Sequence, residues 1–308
     1  MERIIGSYTG KEKGPLLICF GGIHGNEPAG IQAIEEVFER LDKEPLNNPD
    51  FGFKGRLLGI RGNLRAIQAG KRYLQKDLNR QWTKENIARI NATSPSLLEA
   101  EDLEIIEILS LIQSEINNYQ PSRIVVLDLH TTTAHGGIFS VVTDDPDSIQ
   151  IGIELHAPVI KGLLKGINGT ILHYFKTANF QIPIAAVCFE SGQHQESLSI
   201  TRAVSALINC LRTISCVAAS NIETKHDEIL QEYSEGLPKL TQLISIHRIQ
   251  AEDKFRMRPG YKNFQWLEKG LAIADDENGT IVIDEDCFLL MPLYQKQGDD
   301  GFFLIREV

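Results

Sequence analysis

The stretch LLICFGGIHGNE, residues 16–27, runs an unbroken apolar segment into two glycines and then sets His24 and Glu27 three residues apart. Five apolar residues without polar alternation fit a strand buried on both faces, as in a parallel sheet covered by helices. The pattern recurs. RIIGSY (3–8), GRLLGIR (55–61), RIVVLDLH (123–130), GIFSVVT (137–143) and IAAVCFE (184–190) read as further strands, several of them ending in glycine or in a chemically capable residue. Between them lie amphipathic stretches. In residues 96–119, Leu98, Ile105, Leu109, Ile112 and Ile116 recur at spacings that fit 3.6 residues per turn. In residues 197–217, Ile200, Val204, Leu207, Leu211 and Ile214 do the same after Ser197, a candidate N-cap. The alternation predicts an α/β unit over residues 1–221, its mostly parallel sheet flanked by helices. Beyond residue 222 the turn signals RPGY, EKG and DENGT punctuate short apolar runs, which predicts a polar linker and a smaller C-terminal all-β domain, residues 222–308.

Composition narrows the function classes. With 308 residues, 42% hydrophobic and 23% charged, the chain can fill one large core and a smaller unit. No stretch reaches the roughly 18–20 apolar residues of a spanning helix, and MERIIGSYTGKEKG lacks a secretory apolar region, so no membrane role and a cytoplasmic location are expected. Five cysteines without a CxxC pair read as reduced core residues. A net charge of -10 argues against nucleic acid as a partner. One segment breaks that balance. Lys54, Arg56, Arg61, Arg65, Lys71, Arg72, Lys76 and Arg80 stand against the single acid Asp77. This is either a solvated basic face or the field of a site for a small anionic substrate. The acidic run from Asp275 to Asp286 lacks the DxDxDG spacing of a calcium loop and reads as a solvated hairpin. A homo-oligomer is left open.

Open α/β sheets bind ligands beyond the carboxyl ends of their strands. Those ends here carry His24 and Glu27, then His130 followed by three threonines, then Glu190 followed by Ser191, Gly192 and Gln193. Two histidines and a carboxylate form the ligand set of many catalytic zinc sites. Gly21, Gly22 and Gly25 would let the backbone approach the ion. HxxE alone also fits a capping acid beside a surface histidine, and Asp128 reads equally as an orienting partner of His130 or as a buried salt-bridge acid. His135, His156, His173, His194, His226 and His247 read as structural.

The stretch GNLRAIQAGKRYLQKDLNRQW, residues 62–82, adds the deciding context. Together GGIHGNEPAG, GNLRA, the RY and DLNR block, DLHTTT and the acid in FESGQ resemble, in order, the succinylglutamate desuccinylase and aspartoacylase family of zinc-dependent amidohydrolases. Looser similarity continues through DCFLLMPLYQKQGDDGFF at 286–303. The resemblance implies a zinc carboxypeptidase-like fold with a mixed sheet and one Zn2+ per chain held by His24, Glu27 and His130. It implies Glu190 as the catalytic carboxylate and Arg65 as the arginine that polarises the scissile carbonyl. Asn79 and Arg80 would grip a substrate carboxylate, and Tyr174 and Tyr294 would contact substrate. The implied activity is hydrolysis of an amide in a small N-acyl amino acid or a similar carboxylate-bearing molecule. A metallocarboxypeptidase acting on peptides and a non-catalytic metal- or carboxylate-binding protein are the rival readings. Where aspartoacylases carry a further carboxylate-binding arginine this sequence has Ala178, with Lys176 as a candidate stand-in, so the acyl group stays open.

Overall fold

A computed structural model of the chain describes residues 1–250 and 252–308. Its strands are β1 (Ile4–Thr9), β2 (Glu12–Gly21), β3 (Lys54–Arg61), β4 (Ile124–Thr132), β5 (Phe139–Val142), β6 (Val159–Lys161), β7 (Ile184–Gln193), β8 (Leu240–Arg248), β9 (Arg256–Met257), β10 (Trp266–Leu267), β11 (Ala272–Asp276), β12 (Gly279–Val282), β13 (Cys287–Leu290) and β14 (Asp300–Glu307). Eleven of them form one mixed sheet in the order β1-β3-β2-β4-β7-β5-β6-β8-β14-β13-β10. The centre, β3-β2-β4-β7, is parallel.

The apolar runs are explained by burial on both faces. Along β2, Leu16, Ile18 and Phe20 join Ile105, Ile108 and Ile112 of the helix Ala100–Tyr119 on one face. Leu17 and Cys19 point the other way, into a cluster with Ile34 and Val37 of the helix Ala29–Asn47 and Val204 and Leu207 of the helix Leu198–Thr213. All five cysteines are free and buried. The amphipathic stretches are trimmed at their ends. The first helix starts at Ala100, where Asp102 accepts from the Glu99 N–H at 3.2 Å, leaving Leu98 outside. The second ends at Thr213, and Ser197 makes no side-chain cap bond.

Past residue 222 the expected linker holds a helix, Lys225–Tyr233, whose His226 and Leu230 are buried. The strands that follow continue the main sheet: β8 pairs with β6 in parallel and with β14 antiparallel, while β9, β11 and β12 form a small separate sheet. The DENGT turn joins β11 to β12, as a solvated hairpin should. No helix among the described residues is long and apolar enough to cross a membrane.

His226 makes this C-terminal junction pH-sensitive. Burial, with Arg40 and Lys225 nearby, pushes its pKa down to about 4, against the pull of Glu223 and Asp227, and Nδ1 lies 3.0 Å from Ser205 Oγ. An unfolded histidine titrates near about 6.5, so below that pH the unfolded chain takes up a proton the folded one refuses. The contribution of His226 is complete above about pH 6.5 and is lost progressively toward pH 4. The urea midpoint should therefore fall between pH 7 and pH 5, and His226→Gln should shrink that fall; an unchanged difference would show that other groups carry it.

Candidate active site

β2, β4 and β7 end side by side, and their carboxyl ends carry the site. After β2 the chain turns at Gly22, whose φ of 73° favours glycine, and the Glu27 N–H donates back to the His24 carbonyl at 3.1 Å. That turn, rather than a helix, brings His24 and Glu27 to one side. The glycines serve packing rather than approach to an ion: a Cβ on Gly25 would lie 2.3 Å from the backbone of Ala66 and Ile67. On β4, Asp128 and His130 share a face, and His130 is in register with Glu190 on β7.

His24, Glu27 and His130 are buried and offer ligand atoms within 4.8 Å of one another. The Nδ1 atoms of His24 and His130 lie 2.8 and 3.1 Å from the two oxygens of Glu27. Each ring turns its other nitrogen to a carboxylate: Nε2 of His24 meets Asp77 at 3.2 Å, and Nε2 of His130 meets Asp128 at 2.7 Å. A carboxylate behind each imidazole fixes the tautomer that leaves Nδ1 as donor to a metal, so these residues fit zinc. Asp128 is thus an orienting partner. Cys188 lies beside Asp128 and His130, but burial holds its pKa well above the usual thiol range, leaving it a protonated bystander. Burial also opposes charge on Glu27, yet the two imidazoles hold its pKa well below the carboxylate norm.

Arg72, which is absent from the expected site, stands in the same cavity. It donates through Nε and Nη2 to Asp77 at 3.1 and 3.0 Å, and its Nη1 lies 3.6 Å from Glu27. Its loop is suspended from a fully buried acid. Glu101 accepts from the Leu74, Gln75 and Lys76 N–H groups at 2.7, 3.2 and 3.4 Å and from the Asn63 amide at 3.2 Å. A little further on, Asn79 Oδ1 accepts from the Ile171 N–H at 2.9 Å, and Arg80 pairs with Asp300 at 2.5 Å.

Glu190 is buried with Oε2 unpartnered. Burial raises its pKa, Glu27 and Asp128 add to the rise, and the balance reaches about 8 despite His130 and Arg72. A bound metal cation would favour its charged form. The loop 291–299 between β13 and β14 reaches over the turn: Asn26 donates to Gln295 at 3.1 Å, and Thr133 ties to Pro292 and Tyr294. The cavity is about 120 Å³.

Residues 13–160 match the family model for the succinylglutamate desuccinylase/aspartoacylase catalytic domain. A probable aspartoacylase from Nostoc sp. is 33% identical, the match covering 94% of this chain and 95% of that protein. The chain belongs to the succinylglutamate desuccinylase/aspartoacylase family. A succinylglutamate desuccinylase from Pseudomonas syringae is 27% identical, with 92% of this chain and 80% of that protein covered. In structure, a succinylglutamate desuccinylase/aspartoacylase from Rhodobacter sphaeroides superposes with a TM-score of 0.66 at 14% identity, covering 96% of this chain and 86% of that one.

Three residues expected from the family's motifs fall elsewhere. Arg65 turns away from the cavity to Glu104 and Glu107, each at 2.7 Å, because the helix Leu64–Ala69 packs against the helix Ala100–Tyr119. Tyr174 lies in an aromatic cluster with Trp82, Phe175 and Phe180. The Tyr294 hydroxyl is held by the backbone of Arg258 and Tyr261, and only its neighbours Leu293 and Gln295 line the cavity. Lys176 and Ala178 line a separate surface depression. Of the eight cations in the basic segment, only Arg72 and Arg80 reach the cavity; Arg56, Arg61 and Lys76 pair with Glu115, Glu35, and Glu99 and Asp102. The segment is mainly a set of structural ion pairs, and Asp77, its lone acid, is the member that touches His24. Among the histidines read as structural, His194 does line the cavity, with Nδ1 at 2.7 Å from Thr131 Oγ1.

Proposed function

We propose that the chain is a zinc-dependent hydrolase that cleaves the amide bond of a small N-acyl amino acid or similar carboxylate-bearing molecule. The observation that carries this reading is the pair of carboxylate-backed imidazoles facing Glu27, with the unpartnered Glu190 carboxylate in the same cavity. His24, Glu27 and His130 would hold the metal, which when bound acidifies water and polarises a carbonyl. Glu190 takes the proton of the attacking water at a carboxylate oxygen and returns it to the leaving amine. Arg72, buried beside Glu27 with a guanidinium fixed by Asp77, presents positive charge where the carbonyl oxygen gains negative charge. Asn79 and Arg80 meet a substrate carboxylate at the far end.

Size favours a small substrate over a peptide. The cavity is only about 120 Å³, and the loop 291–299 lies over one side of it. The test is metal analysis of the purified protein followed by a panel of N-acyl amino acids and short peptides. Near one equivalent of zinc is expected, with N-acyl amino acid turnover that a chelator removes and added zinc restores. Turnover of peptides alone would favour the carboxypeptidase reading, and chelator-resistant activity would remove the metal from the mechanism.

A further inference from the structure

The charges and the walls of the cavity narrow the substrate further. Six carboxylates line it, those of Glu27, Asp77, Asp128, Glu190, Asp299 and Asp300, against only two arginines. Arg80, the cation nearest the far end, is already engaged. Its Nη2 meets Asp300 at 2.5 Å and its Nη1 donates to the Asn79 carbonyl at 2.8 Å, while the second oxygen of Asp300 meets Arg248. A substrate carboxylate at this end finds a guanidinium that is half neutralised, and a second carboxylate finds no free cation lining the cavity among the described residues.

One stretch of the wall, away from Thr131, Thr132, Thr133, His194 and Gln295, is apolar. From Cys188, two residues before Glu190 on the same strand face, it passes to Val141, its register partner on β5, and on to Leu163, Ile167, Leu172 and Phe303. All six are buried, and Val141, Leu163, Ile167, Leu172 and Phe303 offer only hydrocarbon. A carboxylate placed there would lose its hydration without a partner, whereas an alkyl group would gain burial.

We propose that the substrate carries an apolar group, seated on Val141, Leu163, Ile167, Leu172 and Phe303, beside its scissile amide and no more than one carboxylate. This rests on the hydrolase reading above. The apolar group belongs either to the acyl chain or to the amino-acid side chain, and the substrates below separate these.

The experiment compares N-acetyl-L-leucine, N-hexanoylglycine, N-acetyl-L-aspartate, N-succinyl-L-glutamate and Nα-acetyl-L-lysine. kcat/KM is measured on the zinc-loaded protein, and Kd on its Glu190→Gln variant. At least one apolar compound should exceed both dicarboxylates by about tenfold or more, the scale on which hydrophobic pockets discriminate. The leucine or the hexanoyl compound leading assigns the apolar group to the side chain or the acyl chain. Leu163→Arg should move the preference toward N-acetyl-L-aspartate, and Leu163→Met should leave it in place. Dicarboxylates preferred in either measurement would overturn the proposal, as would a lysine compound drawn to Asp299 and Asp300. Apolar preference in binding without any turnover would keep the proposal and remove the hydrolase reading. Absence of both binding and turnover across the panel would remove both.

Discussion

Glu190→Gln is expected to lower kcat by about 10²- to 10⁴-fold while leaving zinc content unchanged. The amide keeps the shape of the carboxylate but cannot accept the proton of an attacking water. Glu190 makes no ligand contact of the kind that ties His24 and His130 to Glu27, so the metal should not depend on it. Turnover within a few-fold of the parent would exclude Glu190 as the base.

Arg72→Ala should reduce kcat/KM by about 10²- to 10³-fold, the usual effect of removing one donor to a developing oxyanion. Arg65→Ala should leave kcat/KM near the parental value. The second variant instead loses about 1–3 kcal/mol of stability, because Glu104 is fully buried and keeps only Arg3 and backbone N–H groups as partners. Arg72→Lys separates charge from geometry: Lys keeps the charge but loses the two-nitrogen grip on Asp77, so only partial recovery is expected. Equal losses of activity in Arg65→Ala and Arg72→Ala would contradict the placement of Arg65 on the outer side of its helix.

Much of this was legible in the sequence. The strands that lead to His24, His130 and Glu190 are apolar runs, broken only by Asp128, that end in chemically capable residues, and that signal survives because a parallel sheet buries both strand faces. His24, Glu27, His130, Glu190, Asn79 and Arg80 all line one cavity. The choice between Arg65 and Arg72 was not legible, because both lie in one basic run and direction depends on how a six-residue helix docks. Tyr174 and Tyr294 failed for a related reason. Each was placed by distance along the chain, while local aromatic packing and turn hydrogen bonds decide where its ring points. The helix Lys225–Tyr233 was hidden by polar composition, with little besides Leu230 to mark an inward face.

The parallel pairing of β6 with β8 bears on how this protein can be shortened. A chain stopped at residue 221 would leave β6 with a bare row of backbone donors and acceptors, an invitation to pair with a neighbour. It would also strip Asp300 from Arg80 and remove the wall that Phe303 and the loop 291–299 supply. The segment from residue 222 onward is therefore no detachable accessory, and a trimmed catalyst of this type would have to be cut from its loops instead.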